Sequence, residues 1–451
     1  MKLIKNTYDL ATSLKLECKE NLPISNFHID SRDVKKHSVF FGLHGINQDG
    51  SFYAEDAIKK GASLAIIKKS KAAIQTIKSK KVIFVRSPEK SLIEASKIAM
   101  KRYKGNVIGI TGSNGKTTTK NILNCGIPKS FASYKNFNNE IGLPLCALSL
   151  DSKNTNAIFE MGAAKLGDID LLSNIIKPNI GIITHIGYSH LEGLNSIKGV
   201  LKVKSELIHN IRSNGAAIVP DSYHLPYWKK MRNDLSFYTF GPNPSASFYP
   251  TQIKMTKFGL SFFIESKHLT KRIPIKTKLI GAHNVLNILA SFAVIFISKL
   301  DIPSFQNGLK ELKNPSQRLC LRRWKRESQV IDDSYNANPD SMKAAIDVLT
   351  KFNNRKIAIF GDMLELGRYR KKLHLELGDY AKIQGVDMLL GYGDLMRYTV
   401  NAFGTEGFFF KNKIELISFL KKNLVKGDSI LLKGSRSMRM EEILNLWGKN
   451  D

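Results

Sequence analysis

The chain of 451 residues has little cysteine and no long apolar run. Its four cysteines lie far apart without a C-x-x-C pair, which argues against a disulfide framework or zinc site and favours a reducing compartment. The longest apolar stretch, residues 288–297, is too short to span a bilayer and contains Ser291. The N-terminal segment has no apolar signal core. We therefore expect a cytoplasmic protein without membrane insertion.

Acidic residues are also scarce: 39 Asp and Glu stand against 69 Lys and Arg, for a formal net charge of +30. Such a balance can indicate a nucleic-acid partner or an anionic membrane surface. The lysines are scattered, however, with no basic tail, and the aromatic residues are not interleaved with arginines as on a base-stacking surface. We therefore expect no nucleic-acid partner, and interpret the charge as mostly solvated, with part of it attracting polyanionic substrates.

A glycine loop between a predicted strand and a predicted helix is the most informative segment. Residues 107–110 form an apolar run suited to a buried strand, and residues 112–115 cannot continue it. Backbone N–H groups of such a loop and the dipole of the following helix favour a phosphate. In this arrangement Lys116 reaches the β- and γ-phosphates of ATP, and Thr117 ligates Mg²⁺. The predicted ATP-loop residues are Gly112, Ser113, Asn114, Gly115, Lys116, Thr117 and Thr118.

Three α/β domains are predicted, at residues 1–84, 85–313 and 314–451. A β-rich insert is predicted within the second, at residues 239–279. The strand candidates outside it are residues 39–41, 64–67, 107–110, 157–159, 180–183, 216–219, 330–331, 357–360, 388–390 and 430–432. Because they alternate with helical stretches, we expect parallel, doubly wound sheets with the chemistry at the carboxyl ends of the strands.

Candidate reactive side chains follow two of these strands. Glu160 comes directly after residues 157–159, and His185 follows residues 180–183, with His190 five positions later. A carboxylate at a strand end can equally be a solvent-exposed side chain without a role in a site, and so can a histidine in a loop. The positions alone leave both readings open.

Lys204 lies on the apolar face of a predicted helix over residues 196–211. Burial disfavours the ammonium form and lowers the pKa of a lysine. A neutral amine can react with carbon dioxide to give a carbamate, which is an anionic metal ligand. The alternative is a lysine that extends from the rim of the core to solvent. The periodicity does not choose between the two.

Residues 111–117, TGSNGKT, resemble the ATP loop of the Mur ligases and their folylpolyglutamate synthetase relatives, which join a carboxylate to an amine at the expense of ATP. Glu160, the His-Leu pair at 190–191 and the K-x-E segment at 204–206 match that family in order and spacing. The resemblance implies that Thr117 and Glu160 serve one Mg²⁺, and that His190 and a carbamylated Lys204 serve a second. It implies Lys116, Lys204 and His190 as the catalytic residues.

Other segments resemble the family's substrate elements: residues 136–144 its substrate loop, residues 281–287 its adenine-side helix start, and residues 30–32 its UDP-binding element. The implied substrate contacts are Ser31, Arg32, Asn138 and Asn139, and the implied adenine-side contacts are Asn284 and Asn287. The implied fold has a small UDP-binding domain, a central P-loop ATPase domain with a parallel sheet, and a Rossmann-like C-terminal domain.

The C-terminal motifs DSYNANP at 333–339, FGDMLELG at 360–367 and KGSRSM at 433–438, with His374, are similar to those of the family member that adds D-alanyl-D-alanine. The resemblance implies ATP contacts from Arg318 and Asp333, and help in seating the dipeptide from Asn336, Asn338 and Ser435. One departure is Gln317-Arg318, where the family usually has Gly-Arg.

The implied activity is an ATP-dependent amide ligation that joins D-alanyl-D-alanine to the terminal carboxylate of UDP-N-acetylmuramoyl-tripeptide. An acyl phosphate is the implied intermediate, ADP and phosphate the co-products, and cytoplasmic peptidoglycan precursor synthesis the setting, with the enzyme expected as a monomer. Two alternatives remain: another amino-acid-adding Mur or folylpolyglutamate-type ligase, and a nucleic-acid-associated P-loop ATPase.

Overall fold

Four sheets organise the part of the chain that the computed structural model describes, residues 2–45 and 48–448. The outermost residues of the predicted first and third domains, 1 and 449–451, lie outside that part. Among the described residues, no helix is both long enough and apolar enough to cross a bilayer. The predicted three-part α/β organisation is confirmed.

The first sheet is parallel, with strands in the order β1-β2-β3-β4. Its strands are β1 (Asn26–His28), β2 (Ser38–Gly42), β3 (Leu64–Lys68) and β4 (Val82–Val85). Its helices are α1 (Thr7–Ser13), α2 (Ala54–Lys59), α3 (Lys71–Thr76) and α4 (Pro88–Arg102). Helix α4 contributes Leu92 and Ala95 to the core of this sheet and Met100 to the core of the central domain, so it connects the two.

The central sheet has six parallel strands in the order β10-β9-β8-β5-β7-β6. Its strands are β5 (Asn106–Thr111), β6 (Ser130–Ala132), β7 (Asn156–Glu160), β8 (Ile180–Ile183), β9 (Ala216–Pro220) and β10 (Ser236–Phe240). Strands β6 and β7 lie on one side of β5, and strands β8, β9 and β10 lie on the other. In such a sheet, a crevice for ligands forms at the carboxyl end of the strand where the strand order reverses.

Eight helices in the described part of the central domain surround this sheet: α5 (Lys116–Gly126), α6 (Gly142–Ser149), α7 (Asp168–Ile176), α8 (Leu191–Leu194), α9 (Ile197–His209), α10 (Leu225–Met231), α11 (His283–Ile297) and α12 (Ile302–Glu311). The apolar run at 288–297 is buried inside α11. The β-rich insert is an antiparallel sheet of β11 (Tyr249–Thr256), β12 (Gly259–Glu265) and β13 (Ile273–Thr277). Alternate residues of β12 are buried, as expected for a sheet with one covered face.

The C-terminal sheet has the order β14-β15-β19-β16-β17-β18. Its strands are β14 (Cys320–Arg323), β15 (Gln329–Asp333), β16 (Lys356–Gly361), β17 (Met388–Tyr392), β18 (Gly407–Phe410) and β19 (Ser429–Lys433), and its helices are α13 (Pro339–Leu349), α14 (Arg370–Ile383), α15 (Met396–Phe403), α16 (Lys413–Asn423) and α17 (Glu442–Gly448). Strand β14 is antiparallel, unlike the others. A short hairpin connects β14 to β15, and such a connection cannot make the crossover that parallel pairing needs.

Short 3-10 turns lie at Gly50–Tyr53, Lys325–Glu327, Gly367–Tyr369 and Arg436–Met438. The third follows β16 and the fourth follows β19. Because β16 and β19 are adjacent and parallel, both turns lie at the carboxyl edge of the C-terminal sheet. That edge faces the central domain, where Glu365 contacts His190 and Asn338 contacts Asn114.

Candidate active site

The glycine loop has the predicted arrangement, with β5 before it and α5 beginning at Lys116. Gly112 and Gly115 have φ values of 145° and 84°, which residues other than glycine rarely adopt. A Cβ on Gly112 would lie 2.1 Å from Thr184 Oγ1, and one on Gly115 would lie 2.3 Å from Asn287 Oδ1. Both conformation and space therefore require glycine at these positions.

The Lys116 side chain folds back across this loop. Its Nζ donates to the carbonyl oxygens of Gly112 at 2.7 Å and Ser113 at 3.4 Å. Burial lowers the pKa of Lys116; the charge of Glu160 opposes the shift and that of Arg318 adds to it. The loop thus holds the amine where a phosphate bound to the loop would meet it.

Glu160, at the end of β7, lies beside the start of α5. Thr117 Oγ1 donates to Glu160 Oε1 at 3.1 Å, and Asn138 Nδ2 donates to the same oxygen at 3.2 Å. Lys120 Nζ lies 3.9 Å from the other carboxylate oxygen, and Arg318 donates to Thr117 Oγ1 at 3.2 Å. A hydroxyl and a carboxylate with adjacent oxygens form the donor set that Mg²⁺ prefers beside a nucleotide, so these residues fit that ion.

The asparagines at the start of α11 fix one another beside the glycine loop. Asn284 Nδ2 donates to the carbonyl oxygen of Ile280 at 2.7 Å, and Asn287 Nδ2 donates to Asn284 Oδ1 at 2.9 Å. Both side chains are buried, and Asn287 packs against Gly115. Their orientation is therefore set before any nucleotide binds.

Lys204 lies on α9 and is only 1% exposed. Burial lowers its pKa to about 7, and the charge of Lys116 contributes to the shift. Glu206, two residues later, accepts from the backbone N–H groups of Gly167 at 2.8 Å and Asp170 at 3.0 Å, which fixes the beginning of α7. The two charged residues of this K-x-E segment thus have different surroundings, and the lysine does not extend to solvent.

His190 is the N-cap residue of α8, and its Nδ1 lies 2.5 Å from Glu365 Oε2 of the C-terminal domain. This contact lowers the pKa of Glu365. The second histidine of the loop, His185, has a buried Nδ1 without a hydrogen-bond partner in the described part of the chain, and burial lowers its pKa against the opposing charge of Asp340. Asp340 in turn accepts from the Tyr188 backbone N–H at 3.1 Å.

Asp333 and Lys433 form a buried ion pair at the carboxyl ends of β15 and β19, with 2.5 Å between Lys433 Nζ and Asp333 Oδ2. Lys433 also donates to the carbonyl oxygen of Asn336 at 2.8 Å. The hydroxyl of the nearby Ser435 accepts from the Leu364 backbone N–H at 2.8 Å. These contacts fix the segments that carry the predicted C-terminal site residues.

Asn338 connects the C-terminal domain to the ATP loop. It caps α13 by accepting from the Ser341 backbone N–H at 2.9 Å. Its amide also exchanges two hydrogen bonds with Asn114, at 2.8 and 3.2 Å. The Asn-Pro pair at 338–339 is a typical helix start and predicts the cap. No sequence signal predicts the partner on the ATP loop.

These residues line one cleft of about 1770 Å³ between the central and C-terminal domains. The predicted site residues on its walls are Ser113, Asn114, Gly115, Lys116, Thr117, Thr118, Asn138, Asn139, Glu160, His190, Asn284, Asn287, Arg318, Asp333, Asn336, Asn338 and Ser435. Gly112 and Lys204 are not among the residues that line it.

Ser31 and Arg32 are not brought to the cleft. They lie in the first domain, where Asp30 holds the Arg32 guanidinium through Nε at 2.9 Å and Nη2 at 2.6 Å. Within residues 2–45 and 48–448, no group of three or more His, Cys, Asp or Glu side chains is placed to hold a metal.

Among the cleft residues that the sequence did not predict as site residues are Asp340 and Glu365. Glu365 was noted only as part of the motif at 360–367, whereas His185 was already a candidate from its position after β8. Asp340 follows the Asn-Pro helix start, where an acidic residue is ordinary. Their contacts depend on how two domains meet, which no local pattern encodes.

The chain is similar to known proteins over most of its length. Family models match three consecutive parts of the chain: the Mur ligase family catalytic domain at residues 23–105, the Mur ligase middle domain at 110–295, and the Mur ligase glutamate ligase domain at 317–436. UDP-N-acetylmuramoyl-tripeptide–D-alanyl-D-alanine ligase of Bacillus subtilis is 32% identical, with 94% of this chain and 93% of that protein aligned. The Haemophilus influenzae enzyme of the same name is 31% identical, with 97% of each chain aligned.

Solved structures have the same architecture. A crystal structure of MurF from Acinetobacter baumannii is 25% identical, with a TM-score of 0.88 over 98% of both chains. MurF ligase from Thermotoga maritima in complex with ADP is 26% identical, with a TM-score of 0.82 over 94% of this chain and 97% of that one. With three matching family models and relatives above 30% identity over nearly its whole length, the chain belongs to the Mur ligase family.

Proposed function

We propose that this protein is an ATP-dependent amide ligase that joins D-alanyl-D-alanine to the terminal carboxylate of UDP-N-acetylmuramoyl-tripeptide in cytoplasmic peptidoglycan precursor synthesis. One observation carries the proposal: the motifs at 333–339, 360–367 and 433–438, which distinguish the dipeptide-adding member, contribute residues to the same cleft as the ATP loop. The curated relatives aligned over more than nine tenths of the chain have the name of that enzyme.

ATP occupies the loop at residues 112–118 in this proposal, with Asn284 and Asn287 on the adenine side and Arg318 and Asp333 at ribose and phosphates. A carboxylate oxygen of the tripeptide attacks the γ-phosphorus, the bond to the bridging oxygen breaks, and ADP leaves. The amine of the dipeptide then attacks the acyl phosphate carbon, phosphate leaves, and the amine loses a proton. Lys116 stabilises charge on the transferring group by its fixed position.

Two Mg²⁺ ions are proposed to assist, one held by Thr117 and Glu160, the other by His190 and a carbamylated Lys204. Their chemistry is to offset the repulsion between a nucleotide triphosphate and a carboxylate. Support for the first comes from the adjacent Thr117 and Glu160 oxygens. Support for the carbamate comes from the burial of Lys204 and its lowered pKa of about 7, which leaves a neutral amine available near neutral pH.

Substrate contacts are proposed at both ends of the cleft. Asn138 and Asn139 are proposed to contact the peptide, and Ser31 and Arg32 the UDP group. Arg32 is exposed and paired with Asp30. To bind a diphosphate, its guanidinium has either to contact the diphosphate and Asp30 together or to leave Asp30. Asn336, Asn338 and Ser435 are proposed to help seat the dipeptide. We also propose domains at 1–84, 85–313 and 314–451, a monomer, and no nucleic-acid partner.

The test is ADP release with UDP-linked tripeptide and a panel of amines. We expect release with D-alanyl-D-alanine and none above background with free diaminopimelate, lysine or D-alanine. Lys116→Ala is the negative control, expected to lower turnover on the order of 10²-fold or more. Use of a free amino acid instead of the dipeptide would assign a different member of the family. Stimulation of ATP hydrolysis by oligonucleotides alone would favour the nucleic-acid-associated ATPase.

A further inference from the structure

One carboxylate of the C-terminal domain reaches a histidine of the central domain. Glu365 lies in the loop after β16, and its Oε2 is 2.5 Å from Nδ1 of His190. The Glu365 carbonyl oxygen also accepts from the Glu192 backbone N–H at 3.0 Å. A single residue thus contacts the beginning of α8 through both its side chain and its backbone.

The contact decides which ring nitrogen remains available. When Nδ1–H donates to a carboxylate, the neutral imidazole has its lone pair on Nε2. The His190 side chain is 33% exposed and lines the cleft, so the ring remains accessible. Histidines that bind metals regularly donate their other N–H to a carboxylate, which fixes both the tautomer and the ring orientation.

His190 and Glu365 both have backbone conformations that are unfavourable for residues other than glycine. His190 has a φ of 50° and Glu365 a φ of 61°, in the left-handed region. Such residues are retained where the surroundings impose them, and they concentrate at functional sites. Here the two strained residues are each other's partners, across the boundary between two domains.

We propose that Glu365 is a positioning residue, which orients His190 so that Nε2 can bind a divalent cation. Because the two residues belong to different domains, the complete site exists only when the C-terminal domain is docked on the central one. Cation binding and docking therefore stabilise each other. The inference rests on the proposed function for the nucleotide-bound cations, and it adds the residue that couples one of them to domain closure.

The first test measures Mn²⁺ binding to the full-length chain with ADP in bicarbonate buffer, by the electron paramagnetic resonance signal of free Mn²⁺. We expect Glu365→Ala to weaken the weaker of two Mn²⁺ sites by roughly 10- to 100-fold and to leave the tighter one unchanged. Glu365→Gln should lose less, because its amide oxygen can still accept from Nδ1–H. The matched control is Glu376→Gln, which removes a carboxylate of α14 that pairs with Lys372 and does not line the cleft.

The second test needs neither metal nor turnover. Long-range ¹H–¹⁵N correlation spectra of the histidine rings report the tautomer, with His190→Asn providing the assignment. We expect the Nδ1–H tautomer in the unmodified protein and a mixture of tautomers in Glu365→Ala. A ring of His190 with its proton on Nε2 would overturn the proposal. So would unchanged Mn²⁺ binding by Glu365→Ala, or a single Mn²⁺ per unmodified chain.

Failure of the inference and failure of the proposed function give different results. If the unmodified protein does not ligate the dipeptide, the proposed function is wrong, whatever the tautomer and Mn²⁺ results. If it ligates the dipeptide while Glu365→Ala keeps both Mn²⁺ sites and the tautomer, only the positioning role is wrong. A contact that merely joins the domains would change neither the tautomer nor the second Mn²⁺ site.

Discussion

Two lysines near the cleft are equally buried and have opposite surroundings. Lys204, on α9 of the central domain, is 1% exposed, and Lys433, at the end of β19, is 2% exposed. Lys433 has the carboxylate of Asp333 at 2.5 Å and a carbonyl oxygen at 2.8 Å. For Lys204, burial is the largest influence and lowers the pKa to about 7. On this basis we propose two uses of a buried lysine, a structural cation at Lys433 and a reactive neutral amine at Lys204.

The difference follows from what each side chain can do for the site. An ammonium bonded to Asp333 keeps that carboxylate oriented, and Leu319 adds a backbone N–H to its other oxygen at 3.1 Å. A neutral amine at Lys204 has a free lone pair, which can attack carbon dioxide. Three predictions test this distinction and a fourth tests the backbone on the Lys433 side of the cleft, from the largest expected effect to the smallest.

The largest effect is expected from Lys204→Arg. A guanidinium keeps the charge but does not deprotonate, so it cannot form a carbamate. We expect ligation to fall by roughly 100-fold, as for loss of a metal ligand or its close support. Lys204→Ala should also lose activity, and added formate or acetate should restore part of it by occupying the vacant ligand position.

The matched control is Lys202→Arg, because Lys202 lies on the same helix and is exposed. It should retain full ligation in the same assay. Wild-type turnover by Lys204→Arg would mean that Lys204 contributes no carbamate. Lys204 and Lys433 would then both be structural lysines.

The second prediction concerns Lys433→Met, measured by urea denaturation. Removing one partner of a buried ion pair leaves the other charge uncompensated, so we expect a loss of about 3–5 kcal/mol in the free energy of unfolding. The double variant Asp333→Asn with Lys433→Met should recover part of that loss. Lys204→Met should not destabilise the fold, because it removes a lysine whose charge is already disfavoured. A larger loss in the free energy of unfolding for Lys204→Met than for Lys433→Met would contradict this distinction between the two lysines.

The third prediction uses pH. The pKa of Lys204 is about 7 in the folded protein, against a usual value of 10.5. Below pH 7 both folded and unfolded states are protonated and the full cost of burying the charge applies. Between pH 7 and 10.5 the unfolded state binds the extra proton, so the stability of the wild type relative to Lys204→Met rises with pH, by at most about 1.4 kcal/mol per unit.

The measurement is urea denaturation of both proteins from pH 6.5 to 9.5, in buffer free of carbon dioxide and metal so that no carbamate contributes. Lys202→Met is the control and should show no such trend relative to the wild type. A flat difference between the wild type and Lys204→Met would mean that Lys204 titrates normally in the fold.

Local patterns were sufficient for much of the fold and for placing Lys204 on an apolar helix face. The apolar runs at 107–110, 157–159 and 180–183 became adjacent parallel strands because buried parallel strands are apolar on both faces. The apolar helix face that carries Lys204 left burial and extension to solvent both open, and the structure shows burial, whereas the glycine loop correctly predicted the start of α5. In each case the signal lies within about one element of the chain.

The ion pair of Lys433 depends on contacts between distant segments of the chain. Lys433 and Asp333 are 100 positions apart, and Asn114 and Asn338 are 224 apart. Such pairs form only after the sheets assemble and the domains meet. Strand β14 was missed for a different reason: it is a short edge strand with two exposed arginines and lacks an apolar run. The roles of the predicted site residues remain predictions.

The smallest expected effect concerns the backbone on the Lys433 side of the cleft. Gln317 has a φ of 59°, and its carbonyl oxygen accepts from the Tyr335 backbone N–H at 3.1 Å. The left-handed conformation costs a side-chain-bearing residue about 1–2 kcal/mol, and glycine escapes this cost but loses more entropy on folding. We expect Gln317→Gly to be more stable than Gln317→Ala by about 1 kcal/mol in urea denaturation. The alanine variant controls for the side chain, whose only described hydrogen bond is from Arg436 at 3.5 Å. Equal stability of the two variants would mean that this side of the cleft is held by the Lys433 ion pair without backbone strain.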